Sequence, residues 1–136
     1  MEEQKFPPFF PILITGLVIA AIGWLGLAYI ILMLDPEILP RWLFFFLLFL
    51  GLCGTALPVV AFLNRRFASE PVAGEGVLIR QAAWLGIYGS LLAWLQQGRI
   101  LNTALLLFLA IGFILIETLL RLGERARWKP KEPPNE

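Results

Sequence analysis

Between Lys5 and Asp35 the chain carries no charged side chain, and residues 12–34 form a nearly unbroken apolar run of 23 residues. Wound as an α-helix, such a run extends ~34 Å at 1.5 Å per residue. The hydrocarbon core of a bilayer is about 30 Å thick, so the segment is long enough to cross it with some tilt. Pro7, Pro8 and Pro11 lie at its entry, where a missing amide donor costs least because the first helical N–H groups have no intrahelical partner.

Three further runs repeat the theme. Residues 42–63 are 22 uncharged residues, opened by Pro40 and Arg41 and closed by Asn64, Arg65 and Arg66. Pro58, near the charged end, is expected to bend the last turn. Residues 81–98 are 18 uncharged residues that include Gln96 and Gln97. Val77, Leu78 and Ile79 extend this run, with Arg80 snorkelling outward. Residues 100–116 are bounded by Arg99 and Glu117. Across the whole chain 59% of residues are hydrophobic and only 15% charged, which excludes a water-soluble globule.

A backbone surrounded by lipid must satisfy its own N–H and C=O groups, and no stretch alternates polar and apolar at period two, so helices are expected rather than a barrel. The predicted fold is all-α: a polytopic integral membrane protein with a four-transmembrane-helix up-down bundle, built of two hairpins. Its spans are about residues 12–34, 42–63, 77–97 and 100–122, within a transmembrane domain of residues 12–128. A short segment, residues 1–11, precedes it, and a disordered tail, residues 129–136, follows. Asp35 is expected to cap a short turn beginning at Pro36. The middle loop, with Ser69, Pro71, Gly74 and Gly76, reads as a flexible connector.

Orientation follows from the distribution of Lys and Arg. Four spans place Lys5, Arg65, Arg66, Arg80, Arg121, Arg125, Arg127, Lys129 and Lys131 on one side and only Arg41 and Arg99 on the other. Both termini are therefore expected in the cytoplasm, in a membrane of the bacterial inner type. The first run is not expected to be a removable signal peptide, since two Glu and one Lys precede it, it is too long for an h-region, and no A-x-A site follows.

Small residues indicate where membrane helices can approach closely. The third span shows them most clearly, with Ala82, Gly86 and Ser90 spaced at four and Gly89 and Ala93 beside them. This is a candidate packing face. Internal packing is the favoured reading, a homodimer seam or a docking face for another membrane subunit the other. Gly16, Ala20, Gly23 and Gly26 in the first span and Gly51, Gly54 and Thr55 in the second are clustered similarly. The third span is expected at the centre and the Leu-rich fourth at the periphery. Trp42, Trp84 and Trp94 are assigned to an aromatic belt near the membrane interfaces. Trp24 lies mid-span, so its indole N–H needs a partner, such as a carbonyl near a glycine.

The chemistry offered is sparse. There is no His and a single Cys, Cys53, so no metal site, redox pair or cofactor is expected. No span carries Asp, Glu, Lys or Arg near its centre, which argues against a proton-coupled transporter. A net charge of +1 and the lack of nucleic-acid signatures exclude that class of partner. The most structured charged feature is the end of the fourth span, where Glu117, Arg121, Glu124 and Trp128 share one helix face. Arg80 enters the third span at the same predicted face, making Arg80 and Glu117 a candidate interfacial ion pair.

These features point to a non-enzymatic accessory, assembly or interaction subunit. Its partners would be the lipid bilayer and another membrane protein or a second copy of itself. The alternative is an oligomeric channel or facilitator for an ion or small solute, lined by neutral groups around Tyr88 and Ser90.

Overall fold

A computed structural model describes residues 6–35, 38–67 and 72–128 of the chain, and for residues 38–40 the backbone alone. Among these residues there are four helices and no strands: α1 (Phe9–Met33), α2 (Ile38–Arg66), α3 (Glu75–Gln97) and α4 (Thr103–Arg127). Each is long and apolar enough to cross a membrane. The turn expected to begin at Pro36, the centre of the middle loop with Ser69 and Pro71, and the tail at residues 129–136 lie outside the described residues.

The helix ends follow local chemistry. Pro8 stands at the N-cap of α1 and Pro11 lies in its first turn, where no N–H is needed. The helix therefore begins three residues before the apolar run. Residue Glu75 opens α3, its carboxylate next to the positive end of the helix dipole. This helix stops at Gly98, and Arg99 adopts a left-handed backbone with φ of 55° that turns the chain. The start of α4 is later than the apolar run implies. Asn102 accepts a hydrogen bond from the Leu105 amide through its side chain at 2.7 Å, so it caps the helix rather than joining it. The far end of α4 runs on to Arg127, with Arg125 and Arg127 placed favourably against the negative end of the dipole.

Packing follows chain order. Helices α1 and α3 both pack on α2, and α4 packs on α3 alone. Both α2 and α3 are thus interior and α4 is peripheral, but the closest seam is that of α2 with α1, and the reason lies in where backbones can touch. A Cβ built on Gly23 would lie 2.2 Å from the Gly51 amide nitrogen, and one on Gly54 would lie 2.2 Å from that of Ala20. One turn further, a Cβ on Gly16 would meet the Pro58 ring at 2.8 Å. Three successive steps of an antiparallel register are therefore set by missing side chains. The helix α2 is continuous through Pro58, whose ring lies in the notch that Gly16 leaves. The Trp24 ring covers the bare backbone of Gly51, and no partner for its indole N–H is found among the described residues.

At one end of the molecule α1, α2 and α3 meet in a small apolar core of Val60, Ala61, Ala73 and Leu78, closed by Phe9 and Ile12. Arg65 ties the chain entering α1 to this end. It donates to the Pro7 carbonyl at 2.9 Å, and its guanidinium lies 5.4 Å from the centre of the Phe9 ring. Ion pairs between α3 and α4 lie at the same end, so the start of α1 and the end of α4 share one face of the bundle.

Candidate functional site

Polar side chains gather in one place, where the end of α2, the beginning of α3 and the last turns of α4 come together. Arg80 is the hub. Its Nε and one terminal nitrogen donate to the two oxygens of Glu117 at 3.1 and 3.2 Å, a bidentate fork. Its other terminal nitrogen donates to Glu124 at 2.6 Å. Gln81 adds a donation to Glu117 at 2.9 Å, and Asn64 of α2 donates to Gln81 at 2.7 Å and to the Val60 carbonyl at 2.9 Å. Arg121 donates to the second oxygen of Glu124 at 3.4 Å. A single network thus crosses three helices.

Its electrostatics are balanced, with two guanidinium groups against two carboxylates. The side chains are neither fully wet nor fully dry: Arg80 is 28% exposed and Glu117 19%. The carboxylates already accept several hydrogen bonds from Arg80, Gln81 and Arg121. This arrangement fastens helices. Among the described residues no group of three or more Cys, Asp and Glu is placed to hold a metal ion.

Beneath the network lies a cleft of about 320 Å³ between α3 and α4, with Val60 of α2 at its side. Trp84 and Tyr88 of α3 both meet Phe113 of α4 edge to face, with ring centres 5.4 and 5.8 Å apart. The Tyr88 hydroxyl donates to the Leu106 carbonyl at 3.1 Å. Gln81, Glu117 and Thr118 mark the polar end of the cleft. Trp84 stands two to three turns into α3 and faces α4, and its indole N–H is buried without a partner among the described residues.

The residues of the candidate packing face take different surroundings. Ala82, 1% exposed, packs against Ala56 and Leu57 of α2. A Cβ on Gly86 would meet Cys53 Sγ at 2.4 Å, and one on Gly89 would meet a Leu52 methyl at 2.3 Å. This face is filled by α2 of the same chain. Ser90 has a buried hydroxyl oxygen with no partner, and Ala93 is half-buried. Cys53 donates a weak hydrogen bond to the Ala82 carbonyl at 3.5 Å in the same seam.

Arg80 and Glu117 stand out in the sequence as charges at the edges of apolar runs. Arg121 and Glu124 share the helix face of Glu117, whereas Asn64 and Gln81, the remaining members of the network, carry no such signal. Uncharged amides at a helix end are common, and only the crossing of three helices links these two to each other and, through Gln81, to Glu117. The opposite face of α4, with Phe108, Ile111, Leu115 and Leu119, touches no other described helix, and each of these residues is more than half exposed. No protein-family model, no curated protein and no solved structure matches this chain.

Proposed function

We infer that this chain is a small, non-enzymatic, multi-pass subunit of a bacterial-type inner membrane, with both termini cytoplasmic. It works by offering its fourth helix to another membrane protein. The observation that carries this reading is the standing of α4: no residue in it is buried, and it packs on α3 alone. In lipid, exposed apolar area is not itself a driving force, and helices associate through close packing and a few hydrogen bonds. A helix held along one edge, with an open cleft beside it, provides the shape that such packing needs. The distribution of nine cations against two supports the orientation.

The channel reading has less support. Tyr88, one of the groups it would use, donates its hydroxyl to a backbone carbonyl, and the Ser90 hydroxyl is buried between helices. The cleft between α3 and α4 is lined mainly by apolar and aromatic side chains.

Photocrosslinking residues placed at Phe108, Ile111 and Leu115 in native membranes test the proposal, with Leu25 and Leu32 of α1 as lipid-facing controls. A discrete protein adduct is expected from the α4 positions and lipid adducts alone from α1. Lipid adducts alone from both sets, together with purification as a monomer in mild detergent, would overturn it.

A further inference from the structure

At the end of the bundle opposite the ionic network, Arg41 of α2 faces the close of α3. Together with Trp94, Leu95, Gln97, Gly98 and Ile100 it lines a second cleft, of about 330 Å³. Among the described residues no acidic side chain lines this cleft and no carboxylate pairs with Arg41. The obvious internal role for such a cation is to cap the exposed carbonyls at the end of α3. Three of those carbonyls already accept: the amides of Gly98, Arg99 and Ile100 donate to Trp94, Gln96 and Leu95 at 3.2, 3.0 and 3.1 Å. Among the described residues nothing accepts from the five N–H donors of its guanidinium.

The neighbours of Arg41 define what would use them. Gln97 adds a side-chain amide donor and Trp94 an indole N–H, and the Trp94 side chain is 58% exposed. Leu95 and Ile100 make the remaining wall apolar. Donor-bearing side chains lining one cleft with a cation that has no carboxylate partner among the described residues call for an anion with several acceptor oxygens, which guanidinium binds through paired hydrogen bonds. An apolar wall beside the donors calls for an anion that carries a hydrocarbon chain. Exposed tryptophan at the end of a membrane helix lies at headgroup depth, and basic pockets between such helices take phospholipid head groups.

We propose that Arg41, Gln97 and Trp94 form a binding site for the phosphate of a membrane phospholipid on the side of the bundle opposite the termini. The site rests on the membrane-spanning reading of the helices and is independent of the partner proposed for α4. It gives α2 and the α3–α4 turn a common anchor in the headgroup layer.

Native mass spectrometry of the full chain, delipidated in detergent and titrated with phosphatidylglycerol, tests the site. The wild-type chain is expected to retain one lipid preferentially, and Arg41→Gln to weaken its binding roughly fivefold, the order of effect of one cation at a lipid surface. Arg127→Gln, which removes an exposed cation at the other end of the bundle, is expected to leave binding unchanged. Equal loss in both variants would refute the site, reducing the effect to net charge. Competition by millimolar inorganic phosphate, or equal retention of uncharged diacylglycerol, would refute the assignment to a lipid phosphate. Should Arg41→Gln not yield helical protein, Gln97→Leu carries the same test, with weakened binding expected and unchanged binding overturning the proposal. A chain that fails to enter vesicles at all would overturn the membrane reading instead, a result separable from each of these.

Discussion

Replacing Gly54 by alanine adds one methyl group at the place where α1 and α2 come closest. Its Cβ would lie 2.2 Å from the Ala20 nitrogen, 2.7 Å from the Ala20 Cα and 2.8 Å from the Gly16 carbonyl oxygen. All three are backbone atoms, so no side chain can rotate away. Ordinary contact begins near 3.4 Å, so the helices must part by about 1 Å. A gap of 0.5–1 Å forfeits roughly a quarter to a half of each dispersion contact along a seam. Overpacking of this kind costs about 1–3 kcal/mol. Alanine in a helix interior returns roughly 1 kcal/mol over glycine, so the net loss is expected at about 0–2 kcal/mol. Gly112 supplies the control, since a Cβ there meets nothing within 4 Å. Gly112→Ala should show only the helix gain, about 1 kcal/mol in the opposite direction. The two variants are compared by dodecyl sulfate titration of the detergent-solubilised protein, followed by circular dichroism. The expected outcome is a separation of roughly 1–3 kcal/mol between them, with Gly54→Ala the less stable. Midpoints that coincide, or an order reversed, would refute the claim that missing side chains set this seam.

Two further outcomes follow from the other seams. Removing Arg80 and Glu117 singly and together, as Arg80→Gln and Glu117→Gln, should reveal a coupling of about 1 kcal/mol in the same unfolding assay, the scale of partly exposed ion pairs and of hydrogen bonds between membrane helices. Additive losses would mean that the pair does not hold α4 to α3. Cys53, the single thiol of the chain, lies against Ala82 and Gly86 between α2 and α3. Its alkylation by a maleimide is expected to be slow in mild detergent and rapid after denaturation, and equal rates would show that the α2–α3 seam is open in solution.

The helices and their number are legible in the sequence for one physical reason. Lipid cannot hydrogen-bond a backbone, so each crossing demands about twenty apolar residues in a row, and such runs cannot be mistaken for much else. Helix ends were less legible. Proline is tolerated in a first turn, so α1 and α2 begin before their apolar runs, while Asn102 spends its side chain on the Leu105 amide and delays α4. Which seam is the tightest is not legible from spacing alone. Small residues cluster in α1, α2 and α3 alike, but only the facing sets at Gly16, Ala20 and Gly23 and at Gly51 and Gly54 bring backbone onto backbone. Those of α3 receive side chains, Cys53 and Leu52, and allow a looser approach. Spacing reports that a notch exists; the depth to which a neighbour enters depends on what the other helix offers.

The same comparison separates the two halves of the molecule. In the first hairpin the helices meet by backbone contact from Gly16 to Gly23, a seam that adds no charge and in which a methyl added at Gly23 or Gly54 would strike backbone. In the second they meet through longer reach: an ionic fork at one end, two aromatic edges in the middle and a tyrosine hydroxyl on a carbonyl beyond. Side chains that span a gap can be re-aimed without moving a backbone, whereas a glycine seam has one register or none. A partner that inserts beside α4 would then disturb contacts worth about 0.5–1.5 kcal/mol each and leave the α1–α2 pair untouched. That asymmetry is what a subunit needs if one edge is to adapt to another protein while the remainder keeps its place in the bilayer.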